Sequence, residues 1–257
     1  MKELNGRELA GFIKERQAAQ VRGMARKPRL LIIRDSDNPV IMKYVKLKIR
    51  YGEDIGVGVE DYYARGAEDI VSKVRETDAD GVIIQLPLKD KTATDELCNM
   101  IPTEKDVDGL GVHASYDSAT ATAIHWLLTG YDIDLRDKKI AIVGRGKLVG
   151  APLCKMWKDS GYDVTVFHHG DDLARLREYN LIVTATGKAG LITSSMVSPG
   201  AVVVDAGTAS EDGVLRGDVA DEVRARGDLA AITPTVGGVG PMTIACLFDH
   251  VITAASR

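Results

Sequence analysis

Lys139-Ile140-Ala141-Ile142-Val143-Gly144-Arg145-Gly146-Lys147-Leu148-Val149-Gly150-Ala151-Pro152 is the stretch on which the fold turns. Its first part is a short, continuously apolar run, the pattern of a buried strand. The glycines that follow at a strand-to-helix turn let the backbone approach a pyrophosphate. The helix after them offers unpaired N–H groups to its negative charge. The spacing, GxGxxxG, is one residue longer than the commonest dinucleotide fingerprint. The competing reading is a tight turn in an α/β unit that binds nothing.

Outward from this stretch the same alternation continues. Asp163 to Phe167, Leu181 to Val183 and Ala201 to Asp205 read as further strands, and so do Leu30 to Ile33 and Gly81 to Leu86, with a weaker one at Ile55 to Val59. Strands that are apolar throughout imply a sheet covered on both faces. Between them the spacing predicts helices over Gly6 to Ala19, Pro39 to Tyr51, Ala67 to Arg75, Thr120 to Leu128, Leu153 to Ser160 and Val219 to Arg226. Ile244, Leu247, Phe248, Val251 and Ile252 mark one face of a last helix, opened by Pro241 after a glycine-rich turn. The fold class is therefore α/β with parallel layers. Two halves meet near residues 112 to 120, where His, Ser, Thr and Ala replace the apolar runs.

The strand after the glycine loop ends Val166-Phe167-His168-His169-Gly170. A site for NAD usually carries an acid there to hold the ribose hydroxyls. Here Asp171 and Asp172 come a few residues late, while Arg145 stands in the loop itself. Its fixed charge suits a 2′-phosphate, and His169 adds a donor, so the residues favour NADP. Arg145 also reads as a solvent-facing loop residue, and Asp171 argues against NADP.

Composition narrows the classes. The chain has 257 residues, 45% hydrophobic and 27% charged, as in globular proteins. A net charge of −4 gives no global field to recruit nucleic acid or an acidic membrane. The longest apolar runs, four to six residues, are far short of a membrane span, and the first residues lack the order of a signal peptide. Cys98, Cys154 and Cys246 lie far apart and form no CxxC pair, which points to thiols in a reducing cytoplasm.

The first half carries a second constellation. Asn38-Pro39 reads as an N-cap followed by proline at the first helical position. Tyr44 and Lys48 then share one helix face. A tyrosine beside a lysine can stack on a flat substrate while the lysine handles protons; from these two residues alone, a surface lysine beside a half-buried tyrosine is the better reading. Gln85 arrives at the end of a buried strand, where parallel sheets place ligands, and can orient another side chain or satisfy a loop backbone group. Asp106 and Asp108, spaced by two, point to one side in an extended segment. With no His or Cys cluster beside them they give no metal site. Such a carboxylate can accept paired hydrogen bonds from a pterin, or stand in a solvated loop.

Taken in order, Asp37-Asn38-Pro39, Tyr44-Val45-x-x-Lys48, Gln85-Leu86-Pro87-Leu88, Lys105-Asp106-Val107-Asp108-Gly109, Gly144-Arg145 with Val149-Gly150-x-Pro152, Val204-Asp205, Gly217-Asp218-Val219 and Gly237-Gly238-Val239-Gly240-Pro241-Met242-Thr243 resemble the bifunctional methylenetetrahydrofolate dehydrogenase/methenyltetrahydrofolate cyclohydrolase family. The resemblance covers nearly the whole chain. It implies a two-domain α/β protein, usually a homodimer, with its cleft between the domains. Residues 1–115, completed by 238–257, would form the folate-binding catalytic domain, and 116–237 a Rossmann-type NADP-binding domain, with the C-terminal helix returning to the first. It implies Lys48 as the proton-handling residue with Gln85 as its partner, Tyr44 stacked on the folate and Asp108 on the pterin. Gly238, Pro241 and Thr243 would line the folate side. Gly144, Arg145, Gly146, Val149, Gly150 and His169 would serve the cofactor.

The implied activity is cytoplasmic one-carbon chemistry that supplies purine biosynthesis: oxidation of 5,10-methylenetetrahydrofolate with NADP, then hydrolysis of the methenyl product to 10-formyltetrahydrofolate. The sequence departs from the family pattern at several points. Gly146 stands in place of a serine, Thr120-Ala121 in place of Thr-Pro, Pro234-Thr235-Val236 in place of Pro-Val-Pro, and Lys89 in place of a proline. The stretch from Gly109 to Thr120 is shorter by roughly ten residues, a change tolerated in a loop. Two other classes remain as readings: an NAD(P)-dependent dehydrogenase of another small substrate, which leaves the Tyr44/Lys48 pair unexplained, and a non-catalytic NADP-binding protein.

Overall fold

The apolar runs become strands and the amphipathic stretches become helices in a computed structural model that describes residues 1–207, 209–211 and 214–257. The order is β1 (Lys2–Glu3), α1 (Gly6–Arg22), β2 (Arg29–Arg34), α2 (Pro39–Ile55), β3 (Gly58–Tyr63), α3 (Ala67–Glu76), β4 (Gly81–Ile84), α4 (Thr94–Asn99), α5 (Ala119–Gly130), β5 (Ile140–Val143), α6 (Gly150–Asp159), β6 (Val164–Phe167), β7 (Leu181–Thr184), β8 (Val202–Asp205), β9 (Ala209–Glu211), β10 (Val214–Arg216), α7 (Asp221–Arg224), β11 (Ala231–Ile232) and α8 (Val239–Ala255). The chain divides into two compact units. One comprises Gly11–Ala119 with Ile244–Arg257, the other Met1–Ala10 with Thr120–Thr243.

The first unit is built on a parallel three-stranded sheet, β3-β2-β4, in which Ile33 pairs with both Tyr62 and Ile84. Strands β2 and β4 are buried along their apolar residues, and Leu31, Ile33, Val82 and Ile84 pack with Ile70 and Val74 of α3. Helix α2 starts where its sequence says it should: the Asn38 side chain accepts from Val40 N–H at 2.9 Å and Pro39 follows. It stops at Gly56, whose φ of 88° is the left-handed conformation that glycine adopts at a helix end. Ile55 and Val57, read from sequence as part of a strand, are instead the buried residues flanking this stop, and β3 begins at Gly58. The last turns of α8 belong to this unit. Ala245 carbonyl accepts from Gln17 Nε2 of α1 at 2.9 Å, and the Phe248 ring stacks on Tyr51 of α2 at 5.0 Å.

The second unit holds a six-stranded sheet, β1-β11-β8-β7-β5-β6, parallel at every pairing. Strand β5 lies between β6 and β7, so the chain leaves it on one side and returns on the other. This reversal opens a crevice beyond the carboxyl ends of β5 and β7, where doubly wound sheets bind their ligands. Residues 1–10, expected with the first half, belong here because Lys2 pairs with Ala231 and Glu3 with Ile232. Residues 238–243 also lie in this unit. Strands β1 and β11, the β9–β10 hairpin and the short α4 were not signalled by any periodic pattern, and α7 is shorter than its predicted span. The cysteines are free thiols. Among the described residues no helix is long and apolar enough to cross a membrane.

Candidate functional site

In the first unit, two elements aim polar side chains at one place. Gln85 follows the last residue of β4, where its backbone N–H still bonds Ile33 O at 2.8 Å, as if continuing the sheet. Lys48 sits in the third turn of α2. Its Nζ donates to Gln85 Oε1 at 2.6 Å. The other end of the same amide is spoken for, because Gln85 Nε2 donates to the Leu86 carbonyl at 3.1 Å. This contact fixes which way round the amide stands: the oxygen must face Lys48. A neutral acceptor restrains the lysine without adding a negative charge that would favour its ammonium form.

Lys48, Gln85 and Asp108 are all half-buried. Burial holds the Lys48 ammonium below the usual lysine range, with the Asp108 carboxylate pulling weakly the other way. Burial pushes Asp108 above the usual carboxylate range, and Lys48 opposes that. Both shifts favour neutral forms and share one cause, the loss of water around charges. Among the described residues no protein group donates a hydrogen bond to the Asp108 carboxylate. Tyr44 lies half-buried one turn before Lys48 on α2.

Asp106 and Asp108 do not share a face. The segment is a turn, not an extended strand: Val107 N–H bonds Lys105 O at 2.9 Å. Asp106 is buried and folds back on its own loop, accepting from Gly109 N–H at 3.0 Å and Gly111 N–H at 2.7 Å. It organises the loop, and Asp108 makes no such contact. Among the described residues no group of three or more His, Cys, Asp or Glu is gathered to hold a metal.

In the second unit the glycine loop leaves β5 at the sheet reversal. Gly144 has φ 102°, and a side chain there would place its Cβ 2.6 Å from the Ala185 carbonyl. A Cβ at Gly150, the first residue of α6, would lie 2.1 Å from the Gly144 carbonyl. Both positions therefore require glycine, and the helix start is brought tight under the loop. Gly144 N–H bonds Phe167 O at 3.0 Å and Ala185 N–H bonds Val143 O at 2.9 Å, which stitches the carboxyl ends of β5, β6 and β7 together. Gly146 is different: nothing lies within 4 Å of its added Cβ. Val149 caps α6 and is half-buried. A bare backbone before a helix N-terminus fits a pyrophosphate.

Arg145 and His169 are exposed. The two acids that argued against a 2′-phosphate are committed locally. Asp171 accepts from His168 N–H at 2.6 Å, and Asp172 accepts from Ala174 N–H at 3.0 Å.

Asp205 and Asp218 carry no role in the sequence-based reading, although Val204-Asp205 and Gly217-Asp218-Val219 both stand among its motifs. Asp218 is fully buried and accepts from Thr184 Oγ1 at 2.6 Å, Thr186 N–H at 2.6 Å and Lys188 N–H at 2.9 Å. Asp205 accepts from the N–H groups of Gly207, Asp218 and Val219, each at 3.1 Å, and pairs with Arg224. Together they brace the loop that follows β7, against which Gly144 packs. The Gly-Asp-Val triplet was the available signal: a Cβ at Gly217 would lie 1.9 Å from Asp205 Oδ2. Gly238, Pro241 and Thr243 lie in this unit, at the turn into α8 and its first turns, where Thr243 Oγ1 donates to Val239 O at 3.3 Å. Gly6 and Gly238 touch: a Cβ at Gly6 would lie 1.9 Å from the Gly238 carbonyl.

Comparison with known proteins divides the chain in the same order. Residues 4–108 match the family described as tetrahydrofolate dehydrogenase/cyclohydrolase, catalytic domain. Residues 118–257 match the NAD(P)-binding domain of the same family. The bifunctional protein FolD of Nocardia farcinica is 38% identical over an alignment 277 positions long, spanning 99% of this chain and 97% of that protein. Among solved structures, the bifunctional FolD methylenetetrahydrofolate dehydrogenase/cyclohydrolase of Campylobacter jejuni superposes with a TM-score of 0.93 at 31% identity, covering 100% of this chain and 99% of that one. The Trypanosoma brucei N5,N10-methylenetetrahydrofolate dehydrogenase-cyclohydrolase, solved with NADP cofactor and inhibitor, gives 0.90 at 27% identity, covering 98% and 96%. The NAD-dependent 5,10-methylenetetrahydrofolate dehydrogenase of Saccharomyces cerevisiae, at 16% identity and a TM-score of 0.77 over 97% and 95% of the two chains, shares the fold.

Proposed function

The chain belongs to the tetrahydrofolate dehydrogenase/cyclohydrolase family, and from that premise we propose how its residues divide the work. It is a bifunctional enzyme that oxidises 5,10-methylenetetrahydrofolate with a nicotinamide cofactor and hydrolyses the methenyl product to 10-formyltetrahydrofolate. The residue assignments, the choice of NADP, the homodimeric state and the cytoplasmic location are our proposals.

In the first reaction the cofactor supplies the hydride acceptor. The protein's part is to align two rings, a positional contribution. Tyr44 stacks against the folate, and Asp108 accepts paired hydrogen bonds from the amino and ring N–H groups of the pterin. The family resemblance assigns Gly238, Pro241 and Thr243 to folate binding. The folate half is built on Gly11–Ala119 with Ile244–Arg257, and the cofactor half on the unit that holds the glycine loop.

In the second reaction water attacks the bridging carbon of the methenyl cation. Neutral Lys48 takes a proton from that water as the new C–O bond forms. The resulting carbinol collapses: the bond from carbon to N5 breaks, its hydroxyl proton passes to N5, and a formyl group remains on N10. One proton is released overall. A buried lysine and a cationic substrate both disfavour ammonium, so the group is available as a base. The Lys48–Gln85 hydrogen bond is the observation that carries this reading, because it holds the lysine without charging it.

The glycine loop holds the cofactor pyrophosphate through Gly144, Gly146, Val149 and Gly150, with Arg145 and His169 placed to meet a 2′-phosphate. The preference for NADP is supported by the exposure of Arg145 and by the turning of Asp171 and Asp172 to nearby N–H groups. Free cysteines accord with the cytoplasm. Purified protein supplied with 5,10-methylenetetrahydrofolate and either NADP or NAD tests the whole assignment. Reduced cofactor and 10-formyltetrahydrofolate should both appear, faster with NADP. A dehydrogenase of another substrate, or a non-catalytic nucleotide binder, would give neither.

A further inference from the structure

The side chain of Asp108 is aimed by the peptide that precedes it. The carbonyl of Val107 and the N–H of Asp108 belong to one rigid plane. Whatever fixes that carbonyl also fixes the plane from which Asp108 projects. The carbonyl is held from far away in the sequence: His250 Nδ1, on α8, lies 2.8 Å from Val107 O. A carbonyl only accepts, so the proton is on Nδ1 and the ring donates. His250 is itself held, since it is buried and its ring stacks on Tyr116 at 4.8 Å with an interplanar angle of 24°.

The start of this turn is held to β4, where Val82 N–H bonds Lys105 O at 2.8 Å and Val82 bridges to Asp106. Val107 N–H bonds Lys105 O, Asp106 bonds Gly109 and Gly111, and Asp108 O accepts from Ala119 N–H at 3.1 Å. Of these contacts none is made to the Val107 carbonyl; His250 alone, among the described residues, donates to it. Tyr116 comes from the shortened stretch after Gly109, so the same ring braces the loop on both sides of Asp108. Burial lowers the His250 pKa, with Asp249, Asp117, Asp106 and the Val107 bond opposing. A proton gained at Nε2 would leave the Nδ1 bond in place.

We propose that His250 is a positioning residue for folate binding, acting through the Val107 carbonyl to orient Asp108. The inference rests on the reading of Asp108 as the pterin anchor. His250→Phe keeps a ring against Tyr116 and removes the donor. It should raise the KM for methylenetetrahydrofolate about fivefold to tenfold, the worth of one hydrogen bond to a carbonyl. The KM for NADP should not change. His250→Asn places an amide N–H near the position of Nδ1 and should recover most of the loss.

The cycle with Asp108→Asn separates the possibilities. If His250 acts through Asp108, the double variant binds folate no worse than Asp108→Asn alone. Fully multiplicative losses, or an unchanged KM in His250→Phe while Asp108→Asn raises it, overturn the inference. An unchanged folate KM in Asp108→Asn instead overturns the anchor reading on which it stands. If His250→Phe does not fold, His250→Gln, whose amide cannot reach the Nδ1 position, is read in the same cycle with the same outcomes.

Discussion

Lys48 Nζ donates to Gln85 Oε1 at 2.6 Å, and the nitrogen of the same Gln85 amide is held by the Leu86 carbonyl at 3.1 Å. The second contact gives the first its meaning, because an amide free to flip would offer Lys48 a donor half the time. The arrangement restrains Lys48 through a neutral acceptor, and burial lowers its pKa.

Gln85→Glu should therefore change the pH profile of methenyl hydrolysis. A carboxylate 2.6 Å from Nζ in the wild-type geometry favours ammonium, so the Lys48 pKa rises. The step needs neutral lysine. Its rising limb with pH should move to higher pH, and the rate at neutral pH should fall. Hydride transfer should keep its pH dependence. Rates of both half-reactions measured across pH in the variant and the wild type check this; an unmoved limb means Lys48 is not the titrating base.

Gly150→Ala and Gly146→Ser should behave oppositely, although both alter the same loop. An added Cβ at Gly150 meets the Gly144 carbonyl at 2.1 Å, while Gly146 has open space for one. Forcing backbone apart in a packed site costs about 1–3 kcal/mol. Gly150→Ala should lower the melting temperature and weaken NADP binding tenfold or more, on the order of 1.4 kcal/mol. Gly146→Ser adds a hydroxyl in a loop built to hold phosphate and should leave NADP affinity equal or tighter. Thermal unfolding and cofactor titration read both variants.

Arg145→Ala should erode the preference for NADP over NAD. A charge-assisted contact to a 2′-phosphate is worth about 1.5–3 kcal/mol, or about tenfold to a hundredfold in binding. The loss should fall on the KM for NADP and leave that for NAD nearly unchanged. Steady-state kinetics with both cofactors decide it. A wild-type enzyme more efficient with NAD would mean that Asp171 and Asp172 outweigh the arginine despite their local hydrogen bonds.

Much of this was legible in the sequence where the signal is local. The run from Ile140 to Val143 and the glycines after it announce a strand, a turn and a helix, and Asn38-Pro39 announces α2. What could not be read locally was misplaced. Ile55 and Val57 look like a strand because they are apolar, but they are buried around the left-handed Gly56. The true β3 is a partly exposed edge strand whose Glu60 and Asp61 break the apolar pattern. β1 and β11 are too short to show a period. The spacing of Asp106 and Asp108 suggested one face, and a turn gave them different tasks. His250 reads as an ordinary core position in an apolar helix, since its partner Val107 is 143 residues away.

On the proposed mechanism Lys48 moves the proton of hydrolysis while hydride transfer depends on alignment. The direct test is the ratio of the two half-reactions in Lys48→Ala, measured on one preparation. Removal of a general base typically costs about a hundredfold to ten-thousandfold. Methenyl hydrolysis should fall by that amount, folate binding should persist, and reduction of NADP by methylenetetrahydrofolate should fall much less, so that methenyltetrahydrofolate accumulates. Hydrolysis at the wild-type rate, or an equal fall in both reactions, would contradict the account.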